Sequence, residues 1–347
     1  MSKKIYLTNM HCLGITVGGV MTQSKKTLEA CREYGLPVEI YNSWEFVNLK
    51  EVGAFHLFSA NNEMHHFSQQ LYEKGVPQLV SSVFYTRHPA WKVAGIRAIT
   101  KMISLFDSGT KSVFDFSCLV MENADMVMPN TSDELRQIQQ LFKIPNNKIT
   151  IVPNGVDKKF ANATPELFKK KYGDDNIILS VTMLGPERKN GLNLIKALGK
   201  IDHPSYIIGA FHAEGDYGKA CKAELEKYPQ IKHIGMFDHE DEMLASAYAA
   251  AKVFALPSWL ETPGLASMEA ALAGAEVVTT PIGGTKDYFC DYGIYVDPYS
   301  VDSIAAGIKT ALNRDGSEQK KMKVFIQNNF LWEKVAEKYS EIYRKYL

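Results

Sequence analysis

The feature that most constrains the fold of this chain is the alternation of short apolar runs with longer segments of helical period. A parallel strand is buried on both faces and needs a crossover helix to reach its neighbour, so this alternation is typical of parallel sheets covered by helices. The pattern occurs twice in series along 347 residues, which is too long for one ordinary domain. We therefore predict an α/β chain with two doubly wound, Rossmann-like domains facing a central cleft, where ligands of such sheets bind.

The predicted strands are short and mostly apolar. They cover residues 4–8, 38–41, 55–58, 78–82, 126–128, 149–152, 177–181, 206–209, 233–234, 253–256, 277–279 and 294–296. The first half has predicted helices near 21–34, 64–74, 91–106 and 133–142, and an amphipathic helix is expected over 332–346.

A Pro153-Asn154-Gly155 turn interrupts the alternation, because proline removes a backbone donor and Asn-Gly favours a turn. We place the domain boundary there. The predicted domains are residues 1–155, residues 156–328 and a terminal helical segment, 329–347, that packs back toward the first domain.

Composition excludes several classes of protein. Lys plus Arg and Asp plus Glu number 39 each, so the formal charge is zero, and no nucleic-acid partner is expected. No apolar segment has the length of a secretory signal core or a membrane span, which predicts a cytoplasmic protein. Five widely spaced cysteines fit free thiols rather than disulfides or a zinc site. His56, on a predicted strand, is interpreted as a buried, hydrogen-bonded imidazole.

The most informative stretch for chemistry follows the predicted strand 253–256. Thr262 and Pro263 are interpreted as the cap and first residue of a helix that begins near Gly264. Free amides at a helix start bind anions, and glycine lets a phosphate approach closely. Glu269 lies within that helix, where it can accept hydrogen bonds from a ribose, and Glu261 lies on the loop before it.

Together these residues give Glu-x7-Glu between strand and helix, which resembles the signature of the retaining glycosyltransferases of family 4, enzymes with the GT-B fold. The resemblance extends along most of the chain and is better in the second half. Further matching stretches are residues 152–157, 186–197, 237–258, 281–284 and 330–332.

The resemblance implies transfer of a sugar from a nucleotide diphosphate, with uridine diphosphate as the expected carrier, to an acceptor hydroxyl in glycan or glycolipid biosynthesis. The anomeric configuration is retained. The second domain is expected to bind the donor and the first the acceptor, without cofactor or metal. The implied catalytic residues are Lys189, Arg188 and Glu261, and the implied donor-binding residues are Glu269, Gly264, Leu265, Thr262, Gly18 and Gly19.

Two departures from the family pattern stand out. Met183 occupies the position of the usual phosphate-binding arginine, so Arg188 is the candidate replacement. The region after the fourth strand lacks the usual histidine until His88. These departures keep a non-catalytic sugar-nucleotide or glycan binding protein open as the alternative. An epimerase and a transferase acting on a nucleic-acid base are less consistent with the pattern.

The pattern of residues 91–106 bears on where the acceptor is found. Ile99, Met102 and Phe106 recur at helical spacing, while Lys92 and Lys101 line another face. Such a basic amphipathic helix can lie on an anionic membrane, and relatives that glycosylate lipid-linked acceptors use this region in that way. A core-packed helix with solvated lysines is the competing interpretation.

Overall fold

The computed structural model describes residues 3–8, 18–107 and 109–347, and these form two compact units. One unit comprises Met1–Gly155 together with Trp332–Leu347, and the other comprises Val156–Leu331. The division falls directly after the Asn154-Gly155 turn. An ideal Cβ at Gly155 would lie 2.3 Å from Cδ2 of Trp332, so the glycine is required by the packing of the indole as well as by the turn.

The first unit is built on a five-stranded parallel sheet in the order β2-β1-β3-β4-β5. Its strands are β1 Lys4–Thr8, β2 Val38–Ile40, β3 Val52–Phe58, β4 Gln78–Ser81 and β5 Met126–Val127. The helices that follow them are α1 Gly19–Glu33, α2 Asn62–Glu73, α3 Ala90–Ile103, α4 Val113–Asn123 and α5 Ser132–Phe142. Side chains of β3 contribute to two hydrophobic clusters, because successive residues of a strand point to opposite faces of the sheet. Ala54 and Phe58 belong to one cluster, and Phe55 and Leu57 belong to the other.

The second unit contains a six-stranded parallel sheet in the order β11-β10-β9-β6-β7-β8. Its strands are β6 Ile177–Val181, β7 Ser205–Ile208, β8 Ile231–His233, β9 Ala251–Leu256, β10 Glu276–Thr279 and β11 Ile294–Tyr295. Its helices are α6 Glu166–Tyr172, α7 Gly191–Leu198, α8 Asp216–Leu225, α9 Glu242–Ala250, α10 Leu265–Ala273, α11 Thr285–Phe289, α12 Val301–Asn313 and α13 Ser317–Phe330. The chain leaves β6 toward β7 and β8 and later returns to the other side of β6 as β9. The neighbours β6 and β9 therefore flank a topological switch point, where such sheets bind ligands.

The final helix, α14 Trp332–Tyr343, packs on the first unit. Its buried apolar residues share a cluster with α1 and β1. Tyr343 also donates or accepts a 2.6 Å hydrogen bond with Nδ1 of His56, whose Nε2 lies 2.9 Å from the Ser81 hydroxyl. The prediction that His56 is a buried, hydrogen-bonded imidazole is confirmed.

Two predictions about elements of the first unit were wrong. Residues 149–152 do not form a strand, because Ile149 makes only an isolated bridge to Val127. The Thr150 and Val152 amides donate to the Val127 and Pro129 carbonyls at 3.0 Å, but Pro129 has no N–H to donate in return, so the ladder does not extend. The helix α4 was not predicted, although Ser112 and Asp115 form a capping box at its start.

Candidate functional site

The candidate site of the second unit lies at the carboxyl ends of β6 and β9, on either side of the switch point. Thr182 and Met183 directly follow β6, and the loop 257–264 follows β9 and leads into α10. Since both strands are parallel, these segments meet at one edge of the sheet.

The start of α10 differs in detail from the prediction. The helix begins at Leu265, and Gly264 is its N-cap in the left-handed conformation, with φ of +70° and ψ of +61°. Thr262 is therefore not the cap and Pro263 is not the first helical residue, because the chain reverses at Gly264, where the missing Cβ makes a positive φ inexpensive. A glycine cap has no side chain to offer the first-turn amides, which favours an anionic ligand at this end of the helix.

Three buried hydroxyl groups near this edge have no hydrogen-bond partner among the described residues. They belong to Ser267 in the first turn of α10, Ser258 after β9 and Thr182 after β6. All three residues are almost completely buried. The Ser267 Oγ would lie 3.4 Å from a Cβ at Gly264, which puts it at the helix start. Unpaired buried hydroxyls are costly, so these groups are available to a polar ligand.

Lys189 and Glu261 form the charged pair of the site. Lys189 Nζ lies 2.7 Å from Glu261 Oε1, and the lysine side chain is only 18% exposed. Lys189 ends a short 3-10 turn, Glu187–Lys189, after which Asn190 adopts a left-handed conformation and donates to the Pro257 carbonyl at 2.8 Å. That bond fixes the turn to the loop that carries Glu261.

Arg188 reaches the same loop as Lys189. One guanidinium nitrogen donates to the Leu260 carbonyl at 3.2 Å and lies 4.0 Å from Glu261 Oε1. Met183 is partly exposed at the end of β6. The side chains of Arg188 and Lys189 thus both contact the loop after β9. Met183, directly after β6, contributes no charge.

The backbone of Glu261 is held by the segment after β10. Its N–H donates to the Ile282 carbonyl at 3.1 Å, and its carbonyl accepts from Gly284 at 3.0 Å. Gly283 has a φ of +97°, and an ideal Cβ there would lie 2.1 Å from the Glu261 carbonyl oxygen. Only glycine permits this approach, which accounts for the glycine at 283.

Glu269 points to a different set of partners. Its carboxylate accepts from the Tyr248 hydroxyl at 2.7 Å and lies 2.9 Å from Nε2 of His239. The hydrogen bond to Glu269 is the main reason why the pKa of His239 is raised, although burial of the ring opposes it. Sequence reasoning missed His239 and Tyr248 as partners of Glu269. The chain offers no local signal for them, since the three residues are brought together only by tertiary packing.

The remaining predicted site residues lie in the first unit. Gly18 is the exposed N-cap of α1 and Gly19 its first residue, and an ideal Cβ on either would meet nothing within 4 Å. Most of the segment between β1 and α1, residues 9–17, lies outside the described residues, as does Cys12. His88 is exposed, with its ring 6.2 Å from that of Phe114.

The described residues contain neither a metal-binding cluster nor a helix able to span a membrane. No group of three or more His, Cys, Asp or Glu side chains is arranged to hold a metal ion there. No helix in those ranges combines the length and apolarity that a bilayer span requires. The four described cysteines are free.

Helix α3 exposes an unusual amount of apolar surface. Val93 is its only residue that is fully buried among those described, whereas Trp91 is 76% exposed and Phe106, just beyond the helix, is 92% exposed. Ile99 and Met102 are exposed as well. The core-packed interpretation of residues 91–106 is therefore wrong, because most of these apolar side chains lie on the surface.

Comparison with known proteins finds similarity to glycosyltransferases. Residues 165–332 match the family model described as glycosyl transferases group 1. The chain is 27% identical over 244 residues to a D-inositol 3-phosphate glycosyltransferase of Corynebacterium urealyticum, covering 65% of this chain and 58% of that one. It is 25% identical over 206 residues to O-antigen chain mannosyltransferase B of Escherichia coli, covering 56% and 53%. The chain thus spans less than two thirds of the length of these relatives.

Solved structures establish the fold. Sucrose-phosphate synthase of Thermosynechococcus elongatus aligns with a TM-score of 0.77 at 17% identity, over 99% of this chain and 98% of that chain. HepE of Anabaena, solved in complex with UDP and glucose, aligns with a TM-score of 0.72 at 14% identity, over 99% and 100%. The predicted α/β, GT-B fold class is confirmed.

Proposed function

We propose that this protein is a retaining glycosyltransferase that moves a sugar from a nucleotide diphosphate, with uridine diphosphate as the expected carrier, to an acceptor hydroxyl. The observation that carries the proposal is the start of α10. A diphosphate requires fixed hydrogen-bond donors and a cation. The start of α10 offers amides under a glycine cap without a side chain and the buried, unpaired Ser267 hydroxyl, and Lys189, paired with Glu261 of the preceding loop, offers the cation.

The chemistry of transfer explains why these groups are needed. The bond between the anomeric carbon and the diphosphate oxygen breaks, a bond from that carbon to the acceptor oxygen forms, and the acceptor proton passes to the departing phosphate. Negative charge grows on the diphosphate as the bond breaks, so fixed donors aimed at it lower the barrier. Lys189, Arg188 and the amides of Gly264 and Leu265 are proposed to supply them, with Thr262 beside the helix start.

The two glutamates are proposed to hold the ends of the donor. Glu269 would accept hydrogen bonds from the ribose, and Glu261 would accept one from a hydroxyl of the transferred sugar once its pairing with Lys189 loosens. A nucleotide-sugar donor is supported by the structure of HepE, which was solved with UDP and glucose, and by the family model that matches residues 165–332. No metal or cofactor is needed in this scheme, because the cations and helix amides neutralise the diphosphate.

The first unit is proposed to bind the acceptor, and α3 to bring it to an anionic membrane surface. The exposed Trp91, Leu105 and Phe106 provide apolar contact, and Lys92 and Lys101 provide charge. Vesicles containing anionic lipid should sediment the wild-type protein, while Trp91→Ser combined with Phe106→Ser should stay in the supernatant with an unchanged melting temperature. Equal sedimentation of both proteins would contradict membrane contact through α3.

The function is tested by ligand binding followed by transfer. A ligand that binds only the folded protein raises its melting temperature, so UDP-, GDP- and ADP-sugars are screened by thermal shift. One of them should stabilise the wild-type chain and lose most of that effect in Glu269→Ala. The control is Glu242→Ala, which removes an exposed carboxylate at the start of α9. The same donor should then give a glycoside of unchanged anomeric configuration.

Two outcomes would contradict the proposal. Stabilisation with neither transfer nor slow hydrolysis of the donor would favour a non-catalytic sugar-nucleotide binding protein. Stabilisation by none of the donors would remove the nucleotide site itself.

A further inference from the structure

The carboxylate of Glu269 is held on both oxygens by neighbouring side chains. The Tyr248 hydroxyl donates to Oε2 at 2.7 Å, and Nε2 of His239 lies 2.9 Å from Oε1. Glu269 is only 7% exposed. Each carboxylate oxygen has two acceptor sites, so one on each remains for a ligand after these bonds are made. Tyr248 and His239 therefore fix the orientation of the carboxylate and still leave it able to accept hydrogen bonds from a ligand.

His239 faces carboxylate oxygens through both of its ring nitrogens. Nε2 lies 2.9 Å from Glu269 Oε1, and Nδ1 lies 3.3 Å from Glu240 Oε1. A neutral imidazole has one N–H, so it can donate to one of these oxygens and must present a lone pair to the other. Only the protonated ring donates to both carboxylates, and this geometry agrees with the raised pKa of His239.

The other groups around the ring limit its movement. Lys159 Nζ donates to the His239 carbonyl at 2.7 Å and to Glu240 Oε2 at 2.8 Å, and its charge partly opposes protonation of the ring. The Phe160 ring packs against the imidazole edge to face, with centroids 5.7 Å apart. Three charged groups thus surround His239: Glu269 from α10, Lys159 from the turn 158–162, and the neighbouring Glu240. The titratable Tyr248 of α9 is linked to the ring through Glu269.

We propose that His239 is a positioning residue for the nucleotide: its protonated ring orients Glu269 for the ribose hydroxyls, and loss of that proton weakens nucleoside diphosphate binding. When the proton leaves, one of the two ring bonds is lost and the carboxylate is less firmly oriented. This inference rests on the proposed function, because it takes Glu269 as the ribose acceptor.

The test compares pH profiles of binding. The probe is whichever of UDP, GDP and ADP gives the largest thermal shift, and its dissociation constant is measured by calorimetry from pH 6 to pH 9. His239→Gln keeps a donor near Glu269 but cannot titrate in this range. From pH 6 to pH 9 the dissociation constant of the wild type should rise about three- to tenfold more than that of His239→Gln. This difference corresponds to the loss of one hydrogen bond. Titration of the diphosphate itself is common to both proteins and cancels in the comparison.

A matched control and a second measurement keep the test decisive. His203, a half-buried histidine before β7, takes the same change to Gln and should leave the profile as in the wild type. If His239→Gln does not fold, wild-type binding near pH 8 is measured in buffers of different ionisation enthalpy, where net proton uptake is expected. Parallel profiles, or no proton uptake, would overturn the role of His239 alone. Absence of any nucleotide binding by the wild type would overturn the proposed function as well.

Discussion

At the scale of single residues, Lys189 carries the largest share of the proposed chemistry. Its side chain is only 18% exposed and its ammonium group is paired with Glu261 at 2.7 Å, so its charge is weakly screened compared with that of a surface lysine. It ends the turn Glu187–Lys189 after β6, and through Glu261 it contacts the loop that leads to the start of α10, where the diphosphate charge would develop.

Replacement of this lysine should therefore affect turnover more than folding. In Lys189→Ala we expect kcat to fall about 10²- to 10³-fold, the usual effect of removing one preorganised group from a developing anion. Steady-state kinetics check this, with Lys189→Arg retaining part of the rate because it keeps the charge. A kcat within twofold of wild type in Lys189→Ala would remove this residue from the mechanism.

At the scale of elements, the site depends on loops held by glycines. Gly283 has a positive φ and also touches the backbone of Glu261, whereas Gly35 has a similar φ of +84° with nothing within 4 Å of its Cβ position. A side chain at Gly35 would cost only backbone strain, whereas one at Gly283 would also collide with the backbone of Glu261.

Alanine at these two glycines should have unequal effects. We expect Gly35→Ala to lower the free energy of unfolding by about 1–2 kcal/mol, from the left-handed conformation alone. Gly283→Ala should lose a further 1–3 kcal/mol, roughly, because the methyl group displaces the Glu261 carbonyl, and its transferase rate should fall. Urea unfolding measures both free energies. Equal losses would show that the approach of Gly283 to Glu261 does not constrain the loop.

The elements also show how far local sequence reasoning extends. Strands such as β6 were predicted correctly because a run of buried apolar residues between polar segments leaves little choice. The left-handed cap at Gly264 was not predicted, because Thr262-Pro263 before it is an equally good local signal for the beginning of a helix. The partners of Glu269 were not predictable for another reason. His239 and Glu269 are 30 residues apart and meet only through packing of the loop before α9 on α10.

At the scale of the whole molecule, the chain returns to its first unit at the end. The helix α14 buries its apolar face on α1 and β1, and Tyr343 bonds to the fully buried His56. The amphipathic pattern of this segment predicted a helix that needs a surface to cover. Burial lowers the pKa of His56 to about 3.

That lowered pKa predicts how acid destabilises the first unit. Between pH 6.5 and 3 the unfolded chain binds a proton on His56 and the folded chain does not, so stability is lost as the pH falls through this range. The contribution is about 1.4 kcal/mol per pH unit. In His56→Asn the slope of unfolding free energy against pH should be smaller by this amount, whatever the absolute stability. Parallel slopes for the two proteins would contradict the account of His56.

The central claim is that a diphosphate binds at the start of α10. The most direct measurement is a crystal structure of the wild-type protein with the nucleoside diphosphate that stabilises it most. We expect diphosphate oxygens within hydrogen-bonding distance of the Gly264 or Leu265 amides and of Lys189 Nζ. A diphosphate bound elsewhere, with Lys189 still paired only to Glu261, would contradict the account.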